Sequence, residues 1–88
     1  MAKEFEDLAL DYHNYPTWAM DIKISLASRG IAAAITAPVE GVTPLLDHQK
    51  YTALYIIRHH IHQDLKLEYL LEENPLTLWQ ALKTRYEQ

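Results

Sequence analysis

Arg58-His59-His60-Ile61-His62 is the densest run of ligating side chains in the sequence, and imidazoles gathered this way would suggest a transition metal. Two imidazoles sharing one helical face want a spacing of four residues. His59 and His62 are three apart, and His60 points about 100° away from His59. No carboxylate at a matching position completes a three-ligand set, and His13 and His48 belong to other elements. No metal ligand is therefore assigned, and the run reads as a polar face or helix end. Several imidazoles together would make such a face pH-sensitive, adding positive charge below about pH 6.5. Glu72-Glu73, with Glu68 four residues earlier, has the residue types of an acid and base pair, yet the sequence supplies no glycine-rich phosphate loop and no second catalytic group beside it. Ser25 and Ser28 lack the Gly-x-Ser-x-Gly turn that exposes a hydrolase nucleophile. The expectation is a non-enzymatic protein with no catalytic residue, cofactor, metal or small-molecule substrate. A histidine-dependent metalloenzyme is the alternative that a stoichiometric metal would revive.

The elements behind these residues read as helices. Residues 1–12 show a loose apolar spacing through Phe5, Leu8 and Leu10, expected as an irregular arm packed on the body. Asn14 offers a capping acceptor and Pro16 a preset φ, so a first helix is expected near Pro16 or Thr17. Trp18, Ile22 and Leu26 recur every four residues, and Met20, Ile24 and Ala27 widen the stripe, which predicts a mostly buried helix. Gly30 stops it. Ile31 to Ile35 reads as a helical turn or two, and Thr36 to Thr43, with Pro38 and Gly41, as the principal loop. Thr43-Pro44 then reads as a cap and first-turn proline. Leu46, Lys50 by its stem, Ala53, Leu54, Ile57 and Ile61 are expected on one buried face, and the pattern leaves open whether one helix or two span Leu45 to Leu71, with Asp64 as a possible second start. Asn74-Pro75 repeats the cap-plus-proline signal, and Leu78 or Trp79, Leu82 and Tyr86 carry the last helix towards Gln88, as though the chain were a fragment of a longer polypeptide. The fold class is all-α, a bundle of four to five helices in one domain over 1–88.

Composition narrows the partners. An 88-residue chain buries only roughly 60% of the surface its unfolded form exposes, so its stability is modest and a partner or self-association would help it. A net charge of −4 has the wrong sign for binding phosphates, and the basic residues are scattered, which argues against nucleic acid and against an anionic membrane surface. With no cysteine there is no disulfide and no thiolate metal site, and the acidic start is unlike a secretory signal, so a cytoplasmic location is expected. Six tyrosines are a rich supply of amphipathic contact area. Tyr15, Trp18, Trp79 and Tyr86 are read as core, and Tyr12, Tyr51, Tyr55 and Tyr69 as candidate interface residues.

Leu10-Asp11-Tyr12-His13-Asn14-Tyr15-Pro16-Thr17-Trp18 resembles the start of the Gag polyprotein of plant copia-type LTR retrotransposons, with its Leu-x-Gly-x-Asn-Tyr-x-x-Trp pattern; Asn14, Tyr15 and Trp18 match, and Tyr12 stands where the family usually has glycine. The closing Leu78-Trp79-x-Ala81-Leu82-x-x-x-Tyr86 is similar to the family's Ala-Trp-x-x-Leu-x-x-x-Tyr. The resemblance covers nearly the whole chain and implies the N-terminal lobe of a capsid-like protein. Its parent would self-assemble into a shell around its own transcript, with the lobe supplying subunit contacts. It does not extend to the second helical half or to the RNA-binding Cys-x-x-Cys knuckle. On this reading Asn14, as a cap, and Tyr15, Trp18, Trp79, Leu82 and Tyr86, as core, are structural. A domesticated Gag-derived adaptor that binds another host protein is the alternative with the same fold.

Overall fold

A computed structural model describes residues 3–11 and 13–87. The chain is all-α: α1 spans Tyr15–Ser28, a 3-10 turn Ala32–Ile35, α2 Asp47–His59, α3 Gln63–Glu68 and α4 Pro75–Tyr86. Among the described residues no helix is long and apolar enough to cross a membrane.

α1 begins one residue before Pro16, and its first turn closes where Trp18 N donates to Asn14 O at 2.9 Å. The four-residue stripe is buried as expected, with Ile22 and Leu26 fully inside and Trp18 at 1% exposure. The widened stripe is not: Met20 and Ile24 are 54% and 59% exposed, and Ala27 is exposed too. Positions 20, 24 and 27 lie on the side of the cylinder away from 18, 22 and 26, and this small domain has only enough second-layer structure to cover one side. Gly30, at φ +71°, ends the helix; its N–H reaches Ala27 O and the Ile31 N–H reaches Leu26 O. This is a complete Schellman closure, sealed by the buried pair Leu26 and Ile31.

The Thr43-Pro44 start is corrected. The loop runs on to Leu46, whose N–H is taken by Gln49 Oε1 at 2.8 Å, and α2 starts at Asp47. Leu45 packs against the core, and Leu46 after it is extended, at φ −69° and ψ 156°. α2 then buries Ala53, Leu54, Ile56 and Ile57 and packs against α4, whereas Leu46 (61% exposed) and Lys50 stay outside.

The open question between Leu45 and Leu71 resolves into two helices, α2 and α3. The break has a local cause. The backbone N–H of His60 turns to Ile57 O, and the His60 ring Nδ1, 2.8 Å from Ile56 O, takes the place of the helical donor that carbonyl has lost. Ile61 leaves the helix, and His62 caps α3 by accepting from Asp64 N at 3.0 Å, so Asp64 lies in the first turn and is not the start. α4 opens as read from Asn74-Pro75, with Asn74 Oδ1 accepting from Leu76 N and Thr77 N. It ends at Tyr86, where Glu87 N donates back to Lys83 O, so the helix does not run on towards Gln88, which lies outside the described residues.

Candidate functional site

The residues singled out at the N-terminus converge on the arm. Leu8 is fully buried and forms a single parallel bridge with Ile61: Leu8 N donates to His60 O at 2.9 Å and His62 N to Leu8 O at 3.0 Å. Phe5 stacks on the His60 ring, with centroids 4.0 Å apart, while Leu10 stays 40% exposed instead of packing inward. Asn14 is not a side-chain cap. Its Oδ1 accepts from Ala9 N at 2.9 Å and its Nδ2 donates to Asp7 O at 2.8 Å, so the amide clamps the arm onto the start of α1. The amide meets the arm's one donor and one acceptor with two separate atoms, an acceptor oxygen and a donor nitrogen, whereas a carboxylate offers acceptors only.

His60 is the residue sequence reasoning placed least well. Expected on a polar face, it is fully buried. With the proton on Nδ1 facing Ile56 O, Nε2 accepts from Glu4 N at 3.3 Å, and the His60 carbonyl receives both Leu8 N and Trp18 Nε1, the latter at 2.6 Å. Arm, α1 and α2 thus meet at one residue. The signal was present as an i, i+4 relation of His60 to Ile56 and Ile57 to Ile61, which places position 60 on the apolar side. His59 and His62 are only partly buried and point elsewhere: His59 lies edge-on to His60 and stacks on Tyr55, and His62 is occupied as a cap. Among the described residues no group of three or more His, Asp or Glu side chains is arranged to hold a metal. Glu68 pairs with Arg85, Glu72 accepts from Asn74 N, and Glu73 accepts from the Tyr51 hydroxyl, so the three carboxylates have separate attachments. Ser25 is buried, with its hydroxyl receiving Arg29 Nη1 at 2.6 Å.

The aromatic residues divide into two populations. Tyr15, Trp18, Trp79 and Tyr86 are at most 7% exposed and form one slab: Tyr15 stacks on Tyr86 at 5.8 Å, Trp18 on Trp79 at 5.8 Å, and Tyr15 meets Trp18 at 6.0 Å. Leu82 is fully buried with them. Burial, followed by the Glu87 carboxylate at the hydroxyl, pushes the Tyr15 phenol up to about 12. Tyr51 and Tyr55 are 53% and 51% exposed on the outer face of α2. Glu73, and more weakly Asp47, push the Tyr51 phenol above its ordinary value. Tyr69 is half-buried against the core, with its carbonyl taken by Arg58, and Tyr12 lies outside the described residues.

An apolar groove of about 200 Å³ lies between the 36–46 loop, the 3-10 turn and the start of α4. No sequence signal marked it, because its walls come from loop residues with no periodicity. Compared with known families, curated proteins and solved structures, the chain matches no family model, no curated protein and no solved structure.

Proposed function

We propose that this chain is a non-enzymatic, cytoplasmic protein-contact module that self-associates, the role implied by its resemblance to the N-terminal lobe of a copia-type Gag. The observation that carries the reading is the outer face of α2. Tyr51 and Tyr55 stand one turn apart and half exposed, when every other described aromatic residue is buried or packed on the core. Residues four apart share a helix face, so the two rings, with exposed His48 and Thr52, form a continuous amphipathic strip. Tyrosines supply large contact area for few rotors to freeze, which suits a docking face.

The strip also sets the strength of the contact. A stable interface removes about 800 Å² from each partner. α2 has 13 residues, hence a length of about 20 Å, and one such helix face covers only part of that area. The contact is therefore weak singly, as suits an assembly that multiplies many copies of it. The surplus of carboxylates supports protein partners over nucleic acid.

Light scattering coupled to size exclusion over a wide concentration range tests the proposal. A mass that rises with concentration, and falls back to the monomer in Tyr51→Ser/Tyr55→Ser, is expected. Because both side chains are exposed, the variant should melt with the parent. A monomer at every concentration, or association unchanged in the variant, would overturn it.

A further inference from the structure

The groove beside α4 has features that self-association through Tyr51 and Tyr55 does not use. Ala37, Pro38, Val39, Val42, Pro44 and Leu76 line it, and Val39 and Val42 are 65% and 63% exposed. At about 200 Å³ it falls below the roughly 300–1,000 Å³ of small-molecule sites, and it is sized for one branched side chain. Lys50, Asn74 and Pro75 border both this groove and a shallower trough that continues past them, lined by Asp47, Tyr51, Leu71, Glu72 and Glu73. Leu71 is 90% exposed there. The trough lining carries three carboxylates, Asp47, Glu72 and Glu73, against one cation, Lys50. Glu4, Asp7 and Glu68 each have a Lys or Arg partner within 4 Å, whereas Asp47, Glu72 and Glu73 have no ion pair among the described residues. The upward push on the Tyr51 phenol from Glu73 and Asp47 reports the same negative field.

We propose that this groove and trough together dock an extended segment of a different protein, one that seats a branched aliphatic side chain in the groove and lays adjacent lysines or arginines along Asp47, Glu72 and Glu73. A second copy of this chain is the poorer occupant, because at net charge −4 it would bring like charge to the trough. The apolar half supplies affinity and the carboxylates supply orientation and rate of encounter.

The probe is a set of three synthetic, end-blocked decapeptides: one with a central leucine followed by Lys-Arg-Lys, a second with the leucine replaced by glycine, and a third with the basic residues replaced by glutamates. Amide NMR of the full chain follows the titrations at low salt, and a dilution series without peptide is run beside them. The leucine-basic peptide is expected to shift amides of Ala33 to Leu45, Leu71 to Asn74 and Leu76, with a dissociation constant below about 1 mM. The other two peptides should bind about tenfold more weakly or not at all. Glu72→Gln/Glu73→Gln keeps the acceptors for Asn74 N and the Tyr51 hydroxyl, so its spectrum should remain that of the folded parent while affinity drops about five- to tenfold. Val42→Ser, at an exposed position, should weaken binding of the leucine peptide alone. No shift near 1 mM peptide, or equal binding of the glutamate peptide, would overturn the proposal. Groove amides that move with protein concentration in the dilution series would overturn it in favour of a second copy.

Discussion

Asn14→Asp is expected to destabilise the domain, and it separates two roles that the sequence motif leaves entangled. As helix caps, asparagine and aspartate are about equal, and a carboxylate near a helix start is mildly favourable, so a capping role predicts no loss. The structure gives the amide a different task. Nδ2 donates to Asp7 O at 2.8 Å while Oδ1 accepts from Ala9 N at 2.9 Å. Aspartate keeps the acceptor, removes the donor and sets a negative oxygen against a carbonyl. One lost hydrogen bond of about 1 kcal/mol, plus the cost of a part-buried carbonyl left facing an anion, gives about 2 kcal/mol. For a domain of this size that is roughly 8–16 °C in Tm. Thermal and urea melts followed by far-ultraviolet circular dichroism measure the loss. Hydrogen exchange at Leu8 and Ala9 locates it, because arm release should expose those amides before global unfolding. Asn14→Asp melting within 2 °C of the parent, with the Leu8 amide still protected, would refute the clamp and restore the cap.

Trp18→Ala removes a side chain at 1% exposure and the Nε1 donor to His60 O; at about 3–5 kcal/mol for the cavity, it should abolish the cooperative melt, and a melt within a few degrees of the parent would contradict the core role. Tyr15, with its phenol pushed from about 10 to about 12, holds its proton more tightly folded than unfolded, so its contribution is complete below about pH 10 and lost as pH rises towards 12. Absorbance at the tyrosinate band, taken as the difference from Tyr15→Phe, should show the Tyr15 phenol ionising late and together with unfolding; its ionisation near pH 10 with the fold intact would contradict this. Gly30→Ala meets no atom within 4 Å, so its cost is the left-handed backbone alone, about 1–2 kcal/mol, and Gly30→Asn should cost less in the same melt. Equal melting of the alanine variant and the parent would show that φ is not held there.

Helix content was legible wherever local chemistry and packing agreed. Gly30 closing α1, Asn74-Pro75 opening α4 and the Trp18, Ile22, Leu26 stripe needed only one short stretch of chain each. The failures share a cause, which is that a distant segment decided the outcome. Asn14 has the residue type of a cap, but the arm folds back and takes both atoms of its amide. Pro44 has the type of a first-turn residue, but Leu45 is drawn onto the core and the helix waits until Asp47. The His59, His60, His62 run looked polar as a string. Only the pairing of Leu8 with Ile61 and the stacking of Phe5 make position 60 an interior one. Of the proposed contact face, Tyr51 and Tyr55 were visible by type and spacing, while the groove was not, because its walls come from a loop without periodicity.

The division of the aromatic residues constrains where any partner can draw affinity. Four of the large rings are locked in one slab, and their exposure would cost more than a small domain has in reserve, so no contact can recruit them while the fold persists. Apolar side chains remain exposed elsewhere too, at Met20 and Ile24 of α1 and at Leu67 and Leu70, but the α2 strip and the groove at the start of α4 adjoin each other and differ in electrostatic setting. The strip carries phenol rings, with Glu73 and Asp47 close only to its Tyr51 end, so a second copy can face it at less like-charge cost than the trough. The trough joined to the groove carries three carboxylates against Lys50, and a second copy would meet it with its own excess of acid. Tyr51 sits where the two surfaces adjoin, hydrogen-bonded to Glu73. Occupation of the trough by a basic segment would therefore neutralise charge at the edge of the proposed self-association face, and the two proposed contacts should strengthen each other. A mass that rises further with concentration when the leucine-basic peptide is present would show that coupling, and competition between them would place both partners on the same surface.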